Sequence, residues 1–196
     1  MDVTTWYLEL RRPGELRGRP APQVDVTVIR AAIPSPELSR FLYTAVGGDW
    51  YWTDRLDWDY GRWRTYLARP EVETWVAYAS GTPAGYVELE AQVAGDVEIV
   101  CFGLLPAFIG RGLGGHLLTV GAQRAWAMGA DRVWLHTCSL DGPHALANYQ
   151  ARGFCIYHTE TTRRAQPPTS PGPWPGAAPS THLSDQAQNK NTLWSP

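Results

Sequence analysis

Lysine is nearly absent from this 196-residue chain: Lys190 stands alone beside sixteen arginines. We read that bias as base composition of the encoding genome, without functional meaning. Cysteine is scarce too, and three residues (Cys101, Cys138, Cys155) cannot close a disulfide framework. Their spacing fits no zinc pattern, so no metal site is expected. All three fall in strand-like runs, where buried thiols are the common case, and a reducing cytoplasmic setting suits them. There is no excess of positive charge, with 17 basic residues against 19 acidic ones and a net charge of −2, so no nucleic-acid partner is expected. The cluster Arg11, Arg12, Arg17 and Arg19 reads as a solvated face or arm. Long apolar runs are missing as well. The longest, Ile99 to Ile109, is interrupted by Pro106 and is too short to span a bilayer. The opening Met-Asp-Val-Thr-Thr-Trp lacks the basic and apolar regions of a signal peptide, so no membrane partner is expected.

What is present suits one domain with a sizeable core: 44% of residues are hydrophobic. Residues 3–10 and 24–32 read as strands separated by an Arg/Pro-rich loop. Ser35-Pro36-Glu37 carries the marks of a helix start, and that helix runs to Val46 before Gly47-Gly48. An aromatic, acidic loop at 49–55 leads to a second helix, Trp58 to Leu67. Runs at 72–79, 84–92 and 96–105, joined by Gly-containing turns, read as an antiparallel meander. A glycine-rich turn then opens a helix over about 112–128. A strand (132–138), a short helix (143–152) and a last strand (154–161) follow. Residues 1–164 thus form the expected domain, of α+β class with one mixed, mostly antiparallel sheet flanked by helices. The remaining 165–196 hold seven prolines among polar residues and read as a flexible tail.

The turn Gly110-Arg111-Gly112-Leu113-Gly114-Gly115 is the most telling segment. Glycines allow backbone N–H groups to converge, and the helix start adds its positive dipole end, which suits phosphate oxygens. The segment satisfies G-x-G-x-x-G, yet Pro106-Ala107-Phe108-Ile109 separates it from its strand and Asp131 precedes the next strand instead of ending it. Both features speak against a dinucleotide fold. No Lys-Ser/Thr follows, which excludes a Walker loop.

Leu104-Leu105-Pro106 with Gly110 to Leu118, then Ala145-Leu146-Ala147-Asn148-Tyr149-Gln150-Ala151-Arg152-Gly153-Phe154, separated by one helix and one strand, form an ordered pair of motifs. Together they resemble the acetyl-CoA-binding region of the GNAT superfamily of N-acetyltransferases, whose turn reads Q/R-x-x-G-x-G/A and whose later helix reads A-x-x-x-Y-x-x-x-G-F. The resemblance spans about 84–160. Ile109 replaces the Q/R of the turn. Gly142 stands where an asparagine is often found, with Asp141 or Asn148 as candidate substitutes.

The resemblance implies an enzyme, an acyltransferase using acetyl-CoA as acyl-donor co-substrate. Its cofactor-binding residues would be Phe102, Gly103, Leu104 and Leu105 on the strand, Gly110, Arg111, Gly112, Leu113, Gly114 and Gly115 in the turn, and Asn148. Tyr149 would give a proton to the leaving thiolate, since a phenol with a reference pKa of about 10 is still a donor at neutral pH. Glu98 would be the base, with Glu88 and Glu90 as rivals on the neighbouring strand and a water relay as another route. His136 is expected to be a buried, structural histidine, while His116 and His144 are expected to be structural or exposed. Trp52 and Asp54 would contact the acceptor, an amine attracted by aromatic faces and carboxylates. The implied function is N-acetyl transfer to a primary amine of a small molecule. A protein or peptide N-acetyltransferase and a non-catalytic acyl-CoA-binding module are the alternatives. Sheet-edge pairing in the family leaves room for a homodimer.

Overall fold

A computed structural model of the chain describes residues 1–23 and 25–165; the tail expected over 165–196 lies outside them apart from Ala165. Seven strands form one sheet: β1 (Asp2–Leu10), β2 (Val26–Arg30), β3 (Val72–Ala79), β4 (Thr82–Ala91), β5 (Asp96–Leu104), β6 (Arg132–Cys138) and β7 (Cys155–Arg163). Their order is β2-β3-β4-β5-β6-β1-β7. Every pair is antiparallel except β5 with β6, as the expected mixed sheet requires. The helices are α1 (Pro36–Gly47), α2 (Tyr60–Leu67), α3 (Leu113–Ala127) and α4 (Ala145–Ala151). β2 is shorter than the run 24–32 suggested, and α4 is shorter than 143–152, because Gly142 to His144 form a turn before it.

Local chemistry explains the boundaries. Ser35 Oγ accepts from the Leu38 N–H at 3.2 Å and Pro36 begins α1, while Asp59 Oδ1 accepts from Arg62 N–H at 2.7 Å to start α2. Alternation along β4 sends Val87 and Leu89 to one face and Tyr86 and Glu88 to the other. On the first face α3 contributes Leu117, Leu118, Ala122 and Ala125, and α4 contributes Tyr149, forming a core with Leu8, Leu10, Ile99, Val133, Leu135 and Phe154. Gly121 lets α3 lie close to the sheet, since a Cβ there would come within 2.9 Å of Val87 Cγ2. On the second face Leu42, Tyr43, Val46 and Trp63 of α1 and α2 pack on Val76, Tyr86 and Cys101.

The position of β1 departs from chain order. It inserts between β6 and β7, pairing Thr5 with Cys138, Tyr7 with His136, and Tyr7 also with His158. The expectation of three buried thiols is corrected in the same region. Cys101 is buried, and burial pushes its thiol up to about 12; Cys138 is half-buried and Cys155, on the outer strand, is exposed.

Inside the second core sits a buried charge pair. Arg55 Nη1 donates to Glu88 Oε1 at 2.8 Å, and the Tyr66 hydroxyl lies 2.9 Å from the same oxygen. The rings of Tyr43, Trp58, Trp63 and Tyr66 surround the guanidinium at 4.6–5.8 Å. This pair disposes of Glu88 as a catalytic base, and Glu90 is engaged by Arg69 at 2.8 Å. The substitution Glu88→Gln leaves the guanidinium buried without its counter-charge. It should cost about 3 kcal/mol in unfolding free energy, measured by urea denaturation.

Candidate active site

β5 and β6 pair in parallel only at Asp96–Arg132, Val97–Val133 and Glu98–Trp134. Arg132 closes this end with two bonds to Asp96, at 2.6 and 3.0 Å. Beyond Glu98 the strands part. On its other edge β5 carries a bulge: Leu89 faces Ile99, Glu88 faces Cys101, and Val100 is left over. From Ile99 to Leu104 the inner edge of β5 therefore has no strand beside it, and a cleft of about 950 Å³ opens there.

The cleft gathers most of the residues expected to bind the donor. Phe102, Gly103, Leu104, Gly110, Gly112, Gly114, Gly115, Asn148 and Tyr149 line it. Gly103 also has a packing reason, because a Cβ there would collide with Val46 of α1. Gly110 and Gly112 both adopt φ of +81°, the left-handed conformation that lets the chain turn into α3. The first N–H groups of α3 have no carbonyl within the helix to meet, so the end of β5 presents backbone donors to an anion.

Three of the expected donor-binding residues stand elsewhere. Leu105 packs against the second core. The Leu113 side chain is buried against Ala79 and Ala84, and Arg111 extends over the Phe108 ring with 5.9 Å to the centroid. None of the three lines the cleft.

Tyr149 is 7% exposed, held edge-on between Phe102 at 5.8 Å and Phe154 at 6.4 Å. Burial drives its phenol well above the ordinary value, so the proton stays on. Among the described residues no hydrogen bond engages its hydroxyl, although it lines the cleft.

Glu98 does not line the cleft. Its Oε2 accepts from Gln92 Nε2 at 2.7 Å, and its Oε1 lies 3.5 Å from Nδ1 of His136. His136, expected to be buried, has a half-exposed side chain and faces the cleft, because strand alternation turns it toward the uncovered side of β6. The hydrogen bond to Glu98 raises its pKa, opposed by burial and supported by Asp141 and Asp54. With Nδ1 directed at Glu98, Nε2 is the nitrogen left to take a proton. Of His116 and His144, expected to be structural or exposed, His144 also lines the cleft.

Trp52 and Asp54 both line the cleft. Trp52 is wedged 5.5 Å from Tyr43 and 6.4 Å from Tyr86, against Gly47, which has no side chain to obstruct it. Sequence reasoning missed Thr5, Tyr7, Glu160 and Arg19 as wall residues. Tyr7 stacks 5.9 Å from His136 and donates to Glu160 Oε1 at 2.8 Å. No local pattern could have revealed them, since only the insertion of β1 beside β6 brings them here.

The profile of the Acetyltransferase (GNAT) family matches residues 37–154. A mycothiol acetyltransferase of Corynebacterium aurimucosum is 39% identical over 85 residues, covering 41% of this chain and 27% of that protein. Among solved structures, a GCN5-related N-acetyltransferase from Kribbella flavida superposes with a TM-score of 0.60 at 22% identity, over 81% of this chain and 56% of that one. Another from Sphaerobacter thermophilus gives 0.59 at 18% identity, over 80% and 49%. The chain thus spans about a quarter to about half of the length of these relatives.

The turn makes a direct prediction. A Cβ at Gly110 would meet nothing within 4 Å, so Gly110→Ala tests backbone conformation alone. Its left-handed φ should make the variant about 1–2 kcal/mol less stable by chemical denaturation.

Proposed function

The chain belongs to the acetyltransferase (GNAT) family, and from that premise we propose that it moves an acetyl group from acetyl-CoA to a primary amine of a small molecule by direct attack on the thioester. The observation that carries the reading is the Tyr149 hydroxyl, proton-bearing and without a hydrogen-bond partner among the described residues, in the wall of a cleft that also presents an unpaired strand edge and a glycine turn.

Each step falls to particular groups. The free edge of β5 from Ile99 to Leu104 offers N–H and C=O groups to the amide-bearing arm of the donor, and the turn from Gly110 to Gly115 offers amides to its diphosphate. This holds the thioester carbonyl in reach of an incoming nitrogen, replacing a bimolecular encounter by a positioned one. His136 accepts the amine's proton at Nε2, and Glu98 orients the ring and stabilises the imidazolium. Glu98 thereby serves through His136 instead of touching the amine. As the carbon–sulfur bond breaks, Tyr149 gives its proton to the departing thiolate.

The acceptor end is aromatic and acidic. Trp52, Tyr7, Asp54, Asp141 and Glu160 line the same cleft as His136. Such a wall favours a cationic amine that loses its proton only on reaching the histidine. Thiol release with a panel of small amines and of peptides tests the acceptor class. Turnover on peptides alone would replace the small-molecule reading, and tight coenzyme A binding without turnover on any amine would replace the catalytic one.

Three variants test the proton path. Tyr149→Phe should lower kcat about 100-fold while leaving coenzyme A affinity within a factor of two by calorimetry. His136 must be neutral to act, so kcat/KM should fall on acidification through its pKa. Glu98 raises that pKa, and Glu98→Gln should therefore move the acid limb to lower pH. An acid limb unmoved by Glu98→Gln and still present in His136→Asn would remove the histidine from this role.

A further inference from the structure

The segment after β1 exposes Arg11, Arg12, Arg17 and Arg19, as its sequence suggests, yet it is not a free arm. It crosses α3 and α4 and is fastened along the way. Arg17 N–H donates to the Arg152 carbonyl at 2.9 Å, and Gly153 has no side chain because Glu15's carbonyl occupies the space. Arg19 N–H then donates to Thr119 Oγ1 at 2.9 Å, whose own hydroxyl bonds the Gly115 carbonyl at 2.7 Å. The fastening sets the Arg19 side chain over the glycine turn. A Cβ on Gly115 would come within 2.7 Å of Arg19 Cδ and 2.8 Å of Arg152 Nη1, and one on Gly112 within 3.4 Å of Arg19 Nη2.

The guanidinium of Arg152 thus reaches Gly115, where the aliphatic stem of Arg19 also lies, while the guanidinium of Arg19 sits beside Gly112, at the mouth of α3. Neither forms an ion pair among the described residues, in contrast to Arg11, Arg12, Arg30, Arg55, Arg69, Arg124 and Arg132. Nε and Nη1 of Arg152 are buried and have no hydrogen-bond partner among the described residues. Buried donors without acceptors are unfavourable, and an anion bound at the turn would supply the acceptors.

We propose that Arg19 and Arg152 form a clamp for a phosphate group of the donor, in addition to the amides of the turn. The proposal rests on the acetyl-CoA reading and extends it. The planar fork of each guanidinium suits phosphate oxygens, and Arg19 comes from a segment far in sequence from both motifs. Coenzyme A carries such groups in two places, its diphosphate and its 3′-phosphate.

Calorimetry on the full chain separates the readings, with Arg19→Gln as the main variant because its side chain is exposed and its backbone bonds survive the change. Coenzyme A should bind Arg19→Gln about 10- to 100-fold more weakly than the parent, with a shallower dependence on salt. Repeating the titration with dephospho-coenzyme A locates the contact. An equal loss for both ligands places it on the diphosphate, and a loss confined to coenzyme A places it on the 3′-phosphate; either supports the clamp. Unchanged affinity in Arg19→Gln, with the parent binding normally, overturns the clamp and leaves the donor reading intact. No binding by the parent overturns the donor reading itself, and the clamp with it.

Discussion

The site exists because two neighbouring parallel strands stay together for three residues and then separate. Backbone N–H and C=O groups in a sheet ordinarily satisfy one another, and a strand edge left open between two strands has to find other partners. Here the closed end is riveted by Arg132 and Asp96, and the bulge at Val100 bends β5 away from β6. A row of main-chain donors and acceptors is left facing the cleft. α3 begins nine residues after β5 ends, and its glycine turn lines the same cleft as the open edge. Everything assigned to donor binding depends on this divergence.

The rest of the protein keeps the two walls apart. α1 approaches β5 closely because Gly103 has no side chain to meet Val46. The loop bearing Trp52 and Asp54 is anchored at its end by Arg55, whose charge is buried against Glu88 and enclosed by four aromatic rings. A loop held only by surface contacts would not keep an aromatic wall in one place. The pair also explains why an aromatic and acidic loop, so open to interpretation in the sequence, divides into two jobs. Trp58 and Trp63 pack around Arg55, whereas Trp52 and Asp54 face the cleft.

The charges along the cleft are unevenly spread. Arg19 gathers with Arg152 at the glycine turn, while Asp54 and Asp141 act on His136 and Glu160 is bonded to its neighbour Tyr7. A phosphate-bearing donor and a cationic amine would each meet the opposite sign. β1 and the arm that follows it serve both ends, with Tyr7 near His136 and Arg19 at the turn. One N-terminal segment thereby reaches both the aromatic, acidic end of the cleft and the glycine turn.

Element types and their order could be read from the chain because caps, glycine turns and alternation are local signals. Ser35 and Asp59 are bonded to the N–H groups three residues on, and the glycine turn opens a helix. Tyr149 and the glycines of the turn could likewise be singled out, since the two motifs have fixed spacing. The path of β1 had no such signal: strand pairing is set by burial and edge competition over the whole sheet, and it carried Tyr7 and Arg19 to the cleft. The contact between Glu98 and His136, 38 residues apart in the chain, depends on two strands meeting in register. Local residue chemistry thus determined the pieces and the glycine-rich turn. Only the tertiary structure decided which carboxylate stands behind which histidine, and which arginines are left without a partner, because both follow from long-range packing.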